Sequence, residues 1–202
     1  MTRPVRRIVF ASLAGQPAAA LARVLARAAA EAGLAPALWD PHAVRPGGVE
    51  THLDLDARFA SPRVAPGRCD LVVGLEVLEG LRQAARFYRP GIHLGLLDVV
   101  VPPVAVAHGG KRYPDADALA RELAGQVAVH RLPGPGRAGA PAEPVHLASV
   151  LGLVAGLAGS LDHEAVLGAA RAAFPDWPEA DLAAGYAVGR RVAEGARTGP
   201  TR

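Results

Sequence analysis

One cysteine (Cys69), one lysine (Lys111) and one methionine (Met1) are all that these residue types contribute to 202 residues, and aromatics make up only 4%. The single cysteine excludes an intrachain disulfide and a zinc site of the CxxC type. It also excludes an iron–sulfur cluster held by this chain alone, because such clusters take four ligands as a rule. Cys69 lies just before the apolar run Leu71-Val72-Val73, with Asp70 between, and is expected to be a small buried hydrophobe, not a reactive thiol. The single lysine follows no glycine-rich turn after a strand, so a Walker-type phosphate loop is absent. Arginine takes the place of lysine throughout, which is read as a coding bias. The arginines are scattered from Arg3 to Arg202 with no interleaved aromatics, so the formal net charge of +3 does not amount to a nucleic-acid footprint. No charge-free apolar run reaches the length of a membrane span, and the most apolar window, 145–161, holds His146 and reads as a buried helix. The apolar stretch behind the basic N-terminus is only residues 8–11, a first strand and not a signal peptide, so a cytoplasmic location is expected. No GxSxG nucleophile pattern is present, and the seven histidines are too dispersed to suggest a metal site.

What is there is a chain half hydrophobic, rich in Ala, Leu, Val, Gly and Pro, and long enough for one sizeable core. Residues 7–11 read as a buried strand. A short loop follows, then Pro17 opens a helix whose Leu21, Val24, Leu25, Ala28 and Ala32 recur at helical spacing until Gly33 ends it. Residues 35–39 form a second strand, completing the β-loop-α-β opening of a doubly wound sheet. Alternation at Leu53 and Leu55 predicts a half-buried antiparallel or edge strand over 51–56. Further strands are expected at 70–74, 92–97 and 126–130, with helices at 76–88 and 115–123. The Pro- and Gly-dense stretch 132–144 reads as a surface excursion. Only helices follow, at about 145–159, 162–173 and 178–195, with Asp162 a candidate N-cap. The expected fold class is therefore α/β: one doubly wound, mostly parallel sheet flanked by helices, with a helical C-terminal third. Residues 1–196 are expected to form a single domain and 197–202 a flexible tail.

Two loops are candidates for chemistry. The loop after the first strand is where such folds cradle a phosphate. Here it reads Ser12-Leu13-Ala14-Gly15-Gln16-Pro17, with one glycine and a proline that has no N–H, so a free-standing dinucleotide site is not expected. The turn Arg45-Pro46-Gly47-Gly48 offers backbone donors and a guanidinium fork to an anion; the plain alternative is an ordinary turn with a solvated arginine.

These same residues resemble a known family. From Ile8 to about Tyr186 the chain is similar to the gamma-type domain of pyruvate and other 2-oxoacid:ferredoxin oxidoreductases, and in particular to the small beta subunit of indolepyruvate oxidoreductase. The family's first loop reads G-x-G-G-Q-G; here only Gly15-Gln16 survives. Its R-G-G-S turn, which runs into a strand ending near Ser-His, keeps Arg45, Gly47 and His52. Ser61-Pro62 follows, and then the run from Cys69 to Arg82, which contains Leu75-Glu76-Val77-Leu78-Glu79-Gly80-Leu81-Arg82 and matches A-D-L-L-L-A-L-E-x-L-E-A-L-R. Tyr88-Arg89-Pro90-Gly91, Pro102-Pro103, Tyr113-Pro114, Leu151-Gly152, Phe174-Pro175 and Gly185-Tyr186 come in the expected order. Leu97 and His146 stand where the family often has asparagine.

The resemblance implies a subunit of a complex that oxidatively decarboxylates a 2-oxoacid, pyruvate-like or indolepyruvate-like, to an acyl-CoA and reduces ferredoxin. Thiamine diphosphate, magnesium and iron–sulfur clusters would sit on a partner subunit, and no cofactor on this chain. It also implies that Gly15, Gln16, Arg45, Gly47, Gly48 and His52 line the CoA side or the partner interface, with no catalytic acid, base or nucleophile here. Nucleic acid and membrane are not among the expected partners. Two other readings stay open at this point: a binding or assembly protein derived from the family, and an unrelated nucleotide-dependent enzyme of doubly wound fold.

Overall fold

The computed structural model describes residues 4–41, 48–57, 61–103, 106, 108–109, 112–136 and 139–198. The chain runs β1 (Arg7–Ser12), α1 (Ala18–Glu31), β2 (Ala37–Trp39), β3 (Val49–Asp54), β4 (Leu71–Gly74), α2 (Val77–Arg86), β5 (His93–Leu97), α3 (Ala116–Ala124), β6 (Ala128–Leu132), α4 (Pro144–Ala158), α5 (His163–Ala173) and α6 (Glu179–Thr198). The strands form one sheet in the order β2-β3-β1-β4-β5-β6. β1, β4, β5 and β6 are mutually parallel, while β3 runs antiparallel to both β1 and β2.

Alternation along β1 divides the core. Ile8 and Phe10 face α1, α4, α5 and α6, whereas Val9 and Ala11 face α2 and α3. Both faces are covered, as parallel strands require. α1 carries Leu21, Val24 and Leu25 fully inside, each contributing roughly 1.5–3 kcal/mol of burial. Pro17 is its N-cap, one residue before the helix proper, and the Leu34 and Gly33 amides close its other end on Ala29 and Ala30 carbonyls.

One expectation changes in detail. β3 lies inside the sheet, with β2 as the edge, and its residues from Thr51 to Asp54 are buried. Its polar residues suggest a solvent face in the sequence but are covered: His52 packs between Trp39 and Phe87, and Asp54 pairs with Arg7. The described residues of stretch 132–144 after Leu132 are exposed or half-buried, as expected of a surface excursion. The stretch is tied to the molecule where the Asp98 amide donates to Leu132 O (3.1 Å) and the Gly139 amide to Val100 O (2.7 Å). α6 is described through Thr198, and 199–202 lie outside the described residues.

The Ala- and Gly-rich C-terminal third is a core helix pair. α4 is apolar all round and lies against α6 through glycines. A Cβ on Gly152 would stand 2.0 Å from the Tyr186 carbonyl, one on Gly185 2.0 Å from that of Val145, and one on Gly189 1.9 Å from that of Ser149. Small residues let the two backbones meet, which explains why the helical periodicity of α4 carries no polar face. No helix among the described residues is long and apolar enough to cross a membrane.

Candidate functional site

The strand order reverses between β1 and β4: β1 leads through α1 to β2 on one side, and β4 leads through α2 to β5 on the other. Doubly wound folds bind their ligands at the carboxyl edge of such a point. Three segments meet there: the first loop, the β4–α2 junction and the end of the turn that enters β3.

Gln16 organises the first loop. Its Oε1 accepts the Leu13 amide (2.8 Å), and its Nε2 donates to the Leu75 carbonyl at the end of β4 (2.9 Å). The backbone closes likewise, Gln16 N–H to Leu13 O (3.1 Å) and Ala18 N–H to Gln16 O (3.0 Å). The Leu13 and Gln16 amides are thus engaged within the loop. Gly15 takes the left-handed conformation (φ 88°) at the tip, with open space around its α-carbon.

Gly48 sits at the same edge. Its φ of 127° suits glycine, and a Cβ there would meet Glu79 Oε2 at 2.6 Å and Ser12 O at 3.2 Å. Glu79 is 4% exposed and pairs with Arg82. Burial raises its carboxyl above the ordinary carboxylate range, against the opposing pull of Arg82. Glu76, 2% exposed, is the N-cap of α2 and accepts the Glu79 amide (2.9 Å), the Tyr113 hydroxyl (2.5 Å) and the Val101 amide (3.4 Å). It fastens the post-β5 loop and the approach to α3 onto α2. Burial, and then the Glu76 carboxylate, push the Tyr113 phenol above its usual range.

The first loop forms a ridge between two clefts. One, about 310 Å³, is lined mainly by apolar groups of Leu13, Pro17, Val99, Val101, Pro141 and Leu147. That is the lower end of the roughly 300–1,000 Å³ typical of ligand pockets. The other, about 220 Å³, is more polar and is lined by Ser12, Gly15, Asp40 and Thr51 among others. The buried Thr51 hydroxyl has no hydrogen-bond partner among the described residues.

Of the residues singled out from sequence, the structure brings Gly15, Gln16 and Gly48 together at this edge. Arg45 and Gly47 lie outside the described residues. His52 projects from the opposite face of β3. Its Nδ1 accepts the Val64 amide (2.9 Å), so Nε2 carries the hydrogen, 3.2 Å from Glu50 Oε2. That contact, followed by Arg86, holds the Glu50 carboxyl below its ordinary range. Leu97 is wholly buried, and His146 Nδ1 accepts the Glu143 amide (3.1 Å) at the start of α4. Sequence reasoning misses Glu76, Glu79, Asp40 and Thr51. The Glu-x-x-Glu at the head of α2 is the available signal, whereas Asp40 and Thr51 gain their place only through strand pairing.

Cys69 is buried, its thiol pushed up to about 12 mainly by desolvation. Among the described residues no three His, Cys, Asp or Glu side chains gather as a metal site would require.

Fold and site thus define the class: a doubly wound α/β domain with a switch-point cleft and an inward-closed first loop. A comparison with known proteins gives the particular likeness. The chain is 33% identical to indolepyruvate oxidoreductase subunit IorB of Archaeoglobus fulgidus over 119 residues, which is 57% of this chain and 58% of that protein. The match therefore spans somewhat over half of the relative. Solved structures share the fold. They include the keto/oxoacid ferredoxin oxidoreductase gamma subunit of Geobacter sulfurreducens (TM-score 0.54, 16% identity, 94% of this chain and 99% of that one). Pyruvate oxidoreductase subunit PORC of Thermotoga maritima gives TM-score 0.57 and 16% identity, covering 95% and 97%. The 2-oxoglutarate:ferredoxin oxidoreductase of Magnetococcus marinus, solved with 2-oxoglutarate, coenzyme A and succinyl-CoA bound, gives TM-score 0.59 and 14% identity; this chain spans 32% of it. No family model matches the chain.

Proposed function

We propose that the chain is the subunit without cofactor of a 2-oxoacid:ferredoxin oxidoreductase complex acting on an indolepyruvate-like or pyruvate-like acid. The match to an indolepyruvate oxidoreductase subunit carries the reading. Thiamine diphosphate, magnesium and the iron–sulfur clusters belong on the partner subunit, which passes electrons to ferredoxin. The one thiol is buried and strongly disfavours its thiolate, the form that binds iron, which supports placing the clusters on the partner. At the first loop the Leu13 and Gln16 amides are already paired within it and Pro17 has none, which weighs against a phosphate there. The larger cleft suits an uncharged, partly apolar body, such as the arm of coenzyme A or a side chain of the partner. In this reading Gly15, Gln16, Gly48 and the Arg45–Gly47 turn shape that face, and His52 supports it from behind through Trp39 and Val64.

Co-expression with the neighbouring reading frame tests the proposal. The expected product is a stable complex that carries thiamine and iron and reduces ferredoxin with a 2-oxoacid. Failure of any encoded neighbour to bind, or full activity of the neighbour without this chain, overturns it. A second reading, an assembly or binding protein without catalysis, draws on the same self-closed loop; a complex that forms but stays inactive with every 2-oxoacid favours it.

A further inference from the structure

A second site lies at the opposite edge of the sheet. The amino end of β1 is roughly 15–20 Å, the length of a six-residue strand, from the first loop. A cavity of about 140 Å³ opens there, lined by Arg7, Asp54, Ser61, Arg63, Val64, Ala65 and Arg68. Its acidic group is already engaged: Asp54 takes Arg7 Nε on Oδ2 (3.1 Å) and the Asp56 amide on Oδ1 (3.1 Å). Arg63 and Arg68 have no carboxylate partner among the described residues, so two exposed guanidiniums remain uncompensated at one small cavity. Ser61 Oγ accepts the Arg63 amide (3.2 Å), which leaves its hydroxyl hydrogen to donate.

The segment that carries these groups is held in place. Val64 is buried and its amide is bound to His52 Nδ1, the Arg68 amide closes a turn on Ala65 O (3.0 Å), and the Arg63 guanidinium lies 5.2 Å over the Trp39 ring. The backbone that carries the donors is therefore already ordered. With water occupying about 30 Å³ in the liquid, the cavity holds one small anion and little else. Two forked guanidiniums and a hydroxyl approaching from separate residues match the several oxygens of a tetrahedral oxyanion.

We propose that Arg63, Arg68 and Ser61 bind a phosphate group, either as the free ion or as a phosphomonoester, at the amino edge of the sheet. The site is independent of the carboxyl-edge clefts. Titration of the full chain with inorganic phosphate at constant ionic strength, followed by amide NMR, should give saturable shifts centred on residues 61–68. The Arg63→Gln/Arg68→Gln double variant should bind at least about tenfold more weakly, since each change removes charged hydrogen bonds. Arg121→Gln, which removes an exposed guanidinium on α3, should bind as the parent does. Titration with glycerol phosphate separates the sources: tighter binding than phosphate assigns a phosphomonoester, and equal or weaker binding assigns the free ion. Shifts that do not saturate, that scatter over the surface, or that persist undiminished in the double variant overturn the site. Both substituted arginines are exposed, so an unchanged far-ultraviolet spectrum and melting temperature are expected for the double variant.

Discussion

Gln16 takes the part of the glycines that a phosphate-cradling first loop would use. Its side-chain amide bonds within the loop and across to Leu75, so that the loop is shaped from inside. Gln16→Ala should cost about 1–3 kcal/mol, two hydrogen bonds at 0.5–1.5 each, read as a lower urea midpoint with unchanged m-value. The His93–His130 pair is a second residue-scale determinant. The rings stack with Nδ1 of His93 2.9 Å from Nε2 of His130, and burial lowers both, His130 to about 4. The unfolded chain then binds more protons than the native one between about pH 6.5 and 4, so stability is complete above 6.5 and falls with acidification through that window. The loss for His130 alone is on the order of 3 kcal/mol. Denaturation midpoints measured from pH 7 to 4.5 should decline in the parent, and the decline should flatten in His130→Leu.

At the scale of elements, the α4–α6 contact depends on glycine because carbonyl oxygens occupy the space where a Cβ would go. Gly189→Ala should destabilise by more than about 3 kcal/mol or prevent folding, since two helix backbones cannot part without emptying the core around Leu153 and Tyr186. Gly168, exposed in α5 with nothing near the position an added methyl would take, supplies the contrast: Gly168→Ala should stabilise by up to about 1 kcal/mol. Thermal melts of the two variants side by side distinguish tight packing from helix propensity. A pair of equal shifts would contradict the close approach of the two helices.

For the whole molecule, the two larger clefts described lie at the carboxyl edge, where the first loop, Gly48 and the Val99–Val101 loop converge. If this edge meets a partner, hydrogen exchange of residues 12–17 and 45–48 should slow when the encoded neighbour is added, while α5 on the far side of α1 stays unchanged. Protection confined to α5 or α6 would place the interface elsewhere. Arg45→Ala, which the sequence leads one to expect is a surface change, should leave the melting temperature within a degree or two and weaken the complex.

Periodicity and chain punctuation made most elements legible: Pro17 and Gly33 around α1, the apolar runs of β4 and β5, Asp162 as an N-cap accepting the Ala165 amide. The β-loop-α-β opening implied both the doubly wound class and the edge where a site belongs. These are local properties, written in residues a few positions apart. Gly15 and Gln16 could likewise be singled out from sequence, though the inward role of Gln16 could not. What only tertiary structure decided depends on residues far apart in the chain. The alternation of β3 marked two covered faces, because Trp39, Phe87 and Arg7 arrive from other elements to satisfy its polar side chains. That pairing turned His52 away from the cleft and left Thr51 lining it. The same long-range meeting set Glu79 beneath Gly48 and brought Arg7 and Asp54 to the cavity lined by Arg63 and Arg68, since side chains separated in sequence acquire a shared charge environment only when the backbone has folded.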